Sequence, residues 1–143
     1  MNRQGNVSLS RGFTLIELLV VLAILAMLAG LVGPQVMKAL DDSKTKTAGI
    51  QIADLGAALD LYRLDAGRYP DSSQGLEALV QKPQGVDKWN GPYLRKRQLP
   101  KDPWNYDYIY RFPGENGPYD LYSLGSDNAQ GGEGDARDVV SWE

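Results

Sequence analysis

Two groups of residues have types and spacings suited to chemistry. The first is the Gly12–Phe13 junction together with Glu17. The run from Phe13 to Gly33 is 21 residues of mostly apolar sequence in which Glu17 is the only charged residue. At about 1.5 Å per residue it makes about 31 Å of helix, enough to cross a bilayer core. A carboxylate there costs roughly 2.5–3.5 kcal/mol on insertion scales and calls for a partner. Lys and Arg are absent between Phe13 and Gly33. The nearest cation the chemistry supplies is an α-amine, created if the chain is cut between Gly12 and Phe13. That amine would sit about one helical turn from Glu17. The residues thus point to a processing site and to a charge pair, with an uncut signal anchor as the alternative.

The second group lies in the C-terminal loop 125–138, GSDNAQGGEGDARD. Asp127, Glu133, Asp135 and Asp138 share a glycine-rich segment whose one cation is Arg137. Gathering carboxylates costs repulsion unless a cation sits among them. Calcium suits such a loop, since it takes six to eight oxygens and mixes carboxylates with backbone carbonyls. Glycines let the backbone turn those carbonyls inward. The spacing is not that of the twelve-residue helix-loop-helix calcium site, so a flexible acidic loop is the competing reading. Magnesium fits less well because it keeps its waters and demands near-ideal geometry.

Composition narrows the rest. Histidine and cysteine are both absent from the 143 residues. This removes the common catalytic triads and dyads, the usual zinc sites and disulfides, and an enzyme is not expected. Net charge is −3, and Arg3 and Arg11 fall in a leader without acids, which leaves the body more acidic still. A basic leader and an acidic body argue against nucleic acid as a partner. An ordinary secretory signal places its apolar part before the cut and ends in small residues. Here the basic part ends at Gly12 and the apolar part follows, so the helix would stay on the mature chain. Arg3 and Arg11 before the span put the N-terminus in the cytoplasm and the C-terminal domain outside the inner membrane.

The elements that position these groups are legible in outline. Pro34 falls at the end of the apolar run, behind Gly30 and Gly33, and proline removes a backbone hydrogen bond and clashes with the carbonyl of Gly30. A helix kink or soft zone is expected at Gly30, Gly33 and Pro34, because helix formers resume at once in residues 35–40. Ile52, Leu55, Leu59, Tyr62 and Ala66 recur at spacings of three and four, one apolar stripe on a helix ending near Gly67. One helix is expected from Phe13 to Ala66. Residues 69–73 form a turn and Gln74 to Val80 a short helix. Residues 81–105 are irregular, pinned by Tyr93, Leu94, Leu99 and Trp104, and Arg95-Lys96-Arg97 reads as a solvated loop. Aromatic residues alternate from Tyr106 to Phe112, a strand that returns over Tyr119–Leu124, with a third strand at Val139–Trp142. The fold class is α+β: a long N-terminal helix, its first half membrane-spanning, packed on a small antiparallel sheet. The domains are a leader over 1–12, a transmembrane and assembly helix over 13–34, and a globular domain over 35–143 that includes the rest of the helix.

With these residues in view, the chain resembles the major pseudopilins of bacterial type II secretion systems, within the type IV pilin-like superfamily. The resemblance runs over nearly the whole length. It rests on GFTLIE at Gly12–Glu17, ALDLYRLDAGRYPDSSQGLEALV at Ala58–Val80, LPKDPW at Leu99–Trp104 and DLYSLGSD at Asp120–Asp127. It implies cleavage between Gly12 and Phe13 by a prepilin peptidase and N-methylation of Phe13. It implies a homopolymer, a short periplasmic pseudopilus with the long helices in its core, that leaves the inner-membrane lipid during assembly. Minor pseudopilins, a cytoplasmic ATPase and an inner-membrane assembly platform are the implied partners, and folded exoproteins crossing an outer-membrane secretin are the implied cargo. It also implies calcium, held by the Leu124 backbone carbonyl and Asp127 with acids near the loop's end. Asp138 is the safer of these, Asp135 fits, and Glu133 is able to substitute, because Asp135 and Asp138 are separated more widely here than in relatives. Glu17 is expected to pair with the Phe13 amine of a neighbouring subunit. A type IV pilin of a surface fibre and an uncleaved membrane-tethered calcium-binding periplasmic protein are the alternatives.

Overall fold

The computed structural model describes residues 12–143, so the leader assigned to residues 1–12 lies, Gly12 apart, outside the described residues. The chain divides into two compact units, one up to Lys38 and one over Ala39–Glu143. Helix α1 (Leu15–Ala66, 52 residues) contributes to both.

From Leu15 onward the first unit is helix with its large apolar side chains bare. Leu15, Ile16, Leu18, Leu19, Leu22, Leu25 and Leu28 are all exposed. The most apolar 18-residue window has a mean hydropathy of 2.9 with none of it buried, which suits lipid or other helices as surroundings rather than water. The helical run is unbroken through Gly30, Gly33 and Pro34, although the proline still removes one rung of the hydrogen-bond ladder.

In the second unit the helix has one buried face: Ala48, Ile52, Leu55, Ala58, Leu59 and Tyr62. The expected stripe is there, widened by Ala48 and Ala58, while Ala66 is half-buried. The helix stops at Gly67, whose φ of +80° ends it in the left-handed conformation with its N–H donating to the Arg63 carbonyl at 2.8 Å. A turn follows in which the Asp71 carboxylate accepts from the backbone N–H groups of Ser73 and Gln74. The short helix over residues 74–80 is a 3-10 turn, Leu76–Leu79, that buries Leu76, Ala78 and Leu79.

Three antiparallel strands form the sheet in the order β1 (Ile109–Arg111), β2 (Asp120–Ser123), β3 (Val139–Val140). Tyr110 pairs with Leu121, and Ser123 pairs with Val139. The strands are shorter than their alternating patterns predict. Asp107 leaves the ladder for an isolated bridge with Lys101, and the chain turns away at Pro113. Leu121 of β2 joins Leu55, Leu59, Tyr62 and Leu79 as fully buried core, each large apolar side chain worth about 1.5–3 kcal/mol of burial.

Tyr93, Leu94 and Leu99 pin the irregular segment to this core as expected. Trp104 lies outside the core cluster, and Trp89 takes the pinning role. The Trp89 indole donates to the Ala78 carbonyl at 2.8 Å and meets Tyr93 edge-on at 5.7 Å. Arg95, Lys96 and Arg97 are exposed.

Candidate functional site

At the N-terminus, α1 begins at Leu15, two residues beyond Phe13. The Thr14 hydroxyl accepts the Glu17 N–H at 3.3 Å and the Thr14 carbonyl accepts the Leu18 N–H at 3.2 Å. Thr14 is therefore a helix cap, and Thr14-Leu15-Ile16-Glu17 has the spacing of a capping box. That spacing is legible in the sequence alone. Glu17 sits in the first helical turn, where the helix dipole favours its carboxylate. Phe13 is 88% exposed and lies outside the hydrogen-bonded ladder, so its nitrogen is free to be presented beyond the helix end.

At the other end of the chain, β2 leads directly into the acidic loop. Gly125 has φ +68°, and a Cβ there would meet the carbonyl oxygens of Asp135 and Arg137 at 2.8 Å. Only glycine lets the two limbs of the loop close so tightly. The Ser126 N–H donates to the Asp135 carbonyl at 2.9 Å, which ties the limbs together. Asp127 accepts the Ala129 N–H at 3.0 Å through Oδ1, an ordinary turn bond on an exposed side chain. Asp138 accepts the Gly131 N–H at 3.1 Å through Oδ2. Its Oδ1 is buried and has no hydrogen-bond partner among the described residues. A buried carboxylate oxygen without a donor is costly, and a cation or a hydrogen-bond donor such as water would remove the cost.

Among the described residues no three acids converge into a carboxylate-only cage. Asp135 faces the loop through its backbone carbonyl, and Glu133 is exposed. Asp127 and Asp138 are the loop acids whose carboxylates accept backbone N–H groups from within the loop. Oxygen donors of this kind, without nitrogen or sulfur beside them, would accept calcium rather than zinc.

Two further carboxylates, not singled out from sequence, hold the frame on which the loop is mounted. Asp120 opens β2 and accepts the Glu115 N–H at 2.9 Å, the Asn116 N–H at 3.0 Å and the Asn116 side-chain amide at 3.3 Å. Burial pushes its pKa up, but these donated hydrogen bonds outweigh burial and hold the carboxyl below its ordinary value. Asp102 is 4% exposed and bonds to Ser123 at the end of β2. A phenol network backs the helix: Tyr93 donates to Asp65 at 2.8 Å, and burial and then that bond push its pKa up to about 12.

Residues 35–142 match the model of the family "Type II secretion system (T2SS), protein G", and residues 8–33 match the prokaryotic N-terminal methylation motif. The chain is 50% identical to the type II secretion system core protein G of Pseudomonas aeruginosa over 92% of its own length and 94% of that protein's. It is 43% identical to the protein of the same name from Vibrio cholerae, with 92% and 90% covered. Its fold matches the crystal structure of the major pseudopilin from the type 2 secretion system of enterohaemorrhagic Escherichia coli. The TM-score is 0.61 at 35% identity, over 74% of this chain and 92% of that one. With a bare apolar N-terminal helix, a small antiparallel sheet and an N-terminal methylation motif, the chain belongs to the type II secretion system protein G family.

Proposed function

We propose that the chain is a structural subunit of the type II secretion pseudopilus, anchored in the inner membrane with its globular domain in the periplasm, and that its role is assembly rather than catalysis. The observation that carries this is the pairing of family membership with an α1 whose first 24 described helical residues leave their large apolar side chains exposed. Such a surface is stable in lipid before assembly and against the same helix of other copies afterwards. The methylation motif brings prepilin peptidase processing at Gly12–Phe13, with N-methylation of the new Phe13 amine.

Glu17 is the residue that converts insertion into ordered stacking. A carboxylate in the first helical turn, flanked by exposed apolar side chains, gains most from the terminal amine of a neighbouring copy. That pair sets the axial step between subunits. Glu17→Ala should still insert and be cleaved yet form no pseudopilus when imaged in sheared membrane preparations. Normal filaments from that variant would remove the role from Glu17. The zone Gly30, Gly33 and Pro34 is the natural place for the helix to extend in a filament, because neither glycine has a neighbour that would hold it and Pro34 lacks an N–H.

Calcium is part of this reading. Asp127 and Asp138 with the Leu124 carbonyl would hold the ion, and Asp135 or Glu133 would complete the set. Bound there, calcium supplies charge neutralisation within the loop that joins β2 to β3. The unpartnered Asp138 Oδ1 supports it. The chain's own residues do the rest: Gly125 lets the limbs approach, and the Ser126–Asp135 bond keeps them together.

A further inference from the structure

Asp102 is a buried carboxylate that neither assembly nor the acidic loop uses directly. Among the described residues it has no salt-bridge partner, since the adjacent Lys101 pairs with Asp107 at 2.6 Å. Its Oδ1 accepts the backbone N–H groups of Trp104 at 3.0 Å and Tyr106 at 2.8 Å. Its Oδ2 accepts the hydroxyl of Ser123 at 2.6 Å, across 21 residues of sequence. Ser123 is fully buried, and its Oγ in turn accepts the N–H of Gly125 at 3.2 Å.

The direction of this chain of bonds is fixed. A serine hydroxyl has one proton, and an ionised carboxylate can only accept. The Ser123 proton therefore goes to Asp102, which leaves the Oγ lone pairs for Gly125. The Gly125 N–H belongs to the same planar unit as the Leu124 carbonyl, and in a trans peptide the two point in opposite directions. Holding the Gly125 N–H on Ser123 therefore aims the Leu124 carbonyl away from the Ser123 hydroxyl, independently of anything the loop binds. The neighbouring amide is fixed too, by the Ser126 bond to the Asp135 carbonyl.

The geometry points to Asp102, acting through Ser123, as a positioning residue that presets the Leu124 carbonyl for cation binding by the 124–138 loop. The inference rests on the calcium reading above. Its physical content is preorganisation: a carbonyl held in place before the ion arrives does not have to be ordered when it binds. Partners that orient metal ligands from behind typically govern about 10- to 100-fold in metal affinity.

The test uses the full chain in detergent micelles with calcium chloride as the only added probe. Calcium affinity is read by calorimetric titration, stability in chelator by thermal melting, and the Gly125 N–H by amide hydrogen exchange. Ser123→Ala removes the middle link. Asp102→Asn keeps the size and an acceptor for Trp104 and Tyr106 but reverses the donor facing Ser123. Both variants should bind calcium about 10-fold or more weakly and lose Gly125 protection in chelator while retaining native near-ultraviolet spectra. Lowered melting in chelator with wild-type calcium affinity would overturn the proposal and leave Asp102 a purely structural group. Failure of both variants to fold, with or without calcium, would overturn it in the same way. A wild-type chain that binds no calcium would instead sink the calcium reading, and Gly125 protection would then report the bond chain alone.

Discussion

The two segments that flank β2 handle their acids in opposite ways. On the entering side, the turn over residues 113–119 wraps Asp120 so that both carboxylate oxygens accept hydrogen bonds from Glu115 and Asn116. On the leaving side, the 124–138 loop gives Asp138 one N–H, from Gly131, and Oδ1 is buried without a donor among the described residues. Both are short, glycine-bearing and acidic in sequence. The difference lies in where the backbone amides point. Consecutive N–H groups turned inward can replace water around a carboxylate, and a loop that turns only one inward leaves part of the charge unanswered by the backbone.

Asp120→Ala should break the first half of this contrast most severely. It removes the acceptor for three donors and should cost about 2–3 kcal/mol, equally in calcium and in chelator, by thermal melting of the full chain. The acid dependence sharpens the point. Because the folded carboxyl titrates below its ordinary value, its contribution is complete above the unfolded pKa of about 3.9 and is lost as pH falls through the folded one. The stability gap between wild type and Asp120→Asn should therefore shrink as pH drops below about 4. A gap that widens in acid would reverse the assignment.

Asp138→Asn tests the second half. Calcium at a hundredfold excess over its Kd should stabilise the wild-type chain by about 2.7 kcal/mol, and the variant should lose that gain while changing little in chelator. An unchanged calcium response would move the site away from Asp138, to Asp135 or Glu133. Least of all, Glu115→Gln should cost well under about 1 kcal/mol, although Glu115 pairs with Arg111 at 2.8 Å in the same turn as Asp120. Both side chains of that pair are exposed. A larger loss there would mean that the exposed pair, and not the backbone amides, organises the turn.

The architecture was legible where a periodicity spanned several turns. The stripe Ile52, Leu55, Leu59, Tyr62 was readable because a helix repeats its buried face every three or four residues. The aromatic alternation from Tyr106 to Phe112 announced a strand but overstated its length, since pattern says nothing of where a neighbouring strand ends. The Thr14–Glu17 cap is a local spacing and was open to reading. Asp102 and Asp120 were not. Asp102 lies in LPKDPW and Asp120 in DLYSLGSD, yet the role of each depends on backbone amides, and for Asp102 a hydroxyl, brought to it by the fold. The acidic loop stands between these cases: its four acids are read directly, while which carboxylate oxygens the backbone answers is decided by loop geometry.

Strand β3 is two residues long, and the chain ends three residues later with Trp142 set edge-on to Tyr122 of β2 at 5.9 Å. Trp142 is 39% exposed, whereas the other two indoles are half-buried within the fold, one bonded at Ala78 and one with its nitrogen enclosed. The sheet thus carries a fluorophore four positions beyond Asp138, half in water and half against an aromatic ring. Iodide reaches this indole before the two half-buried ones, so the readily quenched share of the emission reports the docking of the C-terminal strand while the remainder reports the core.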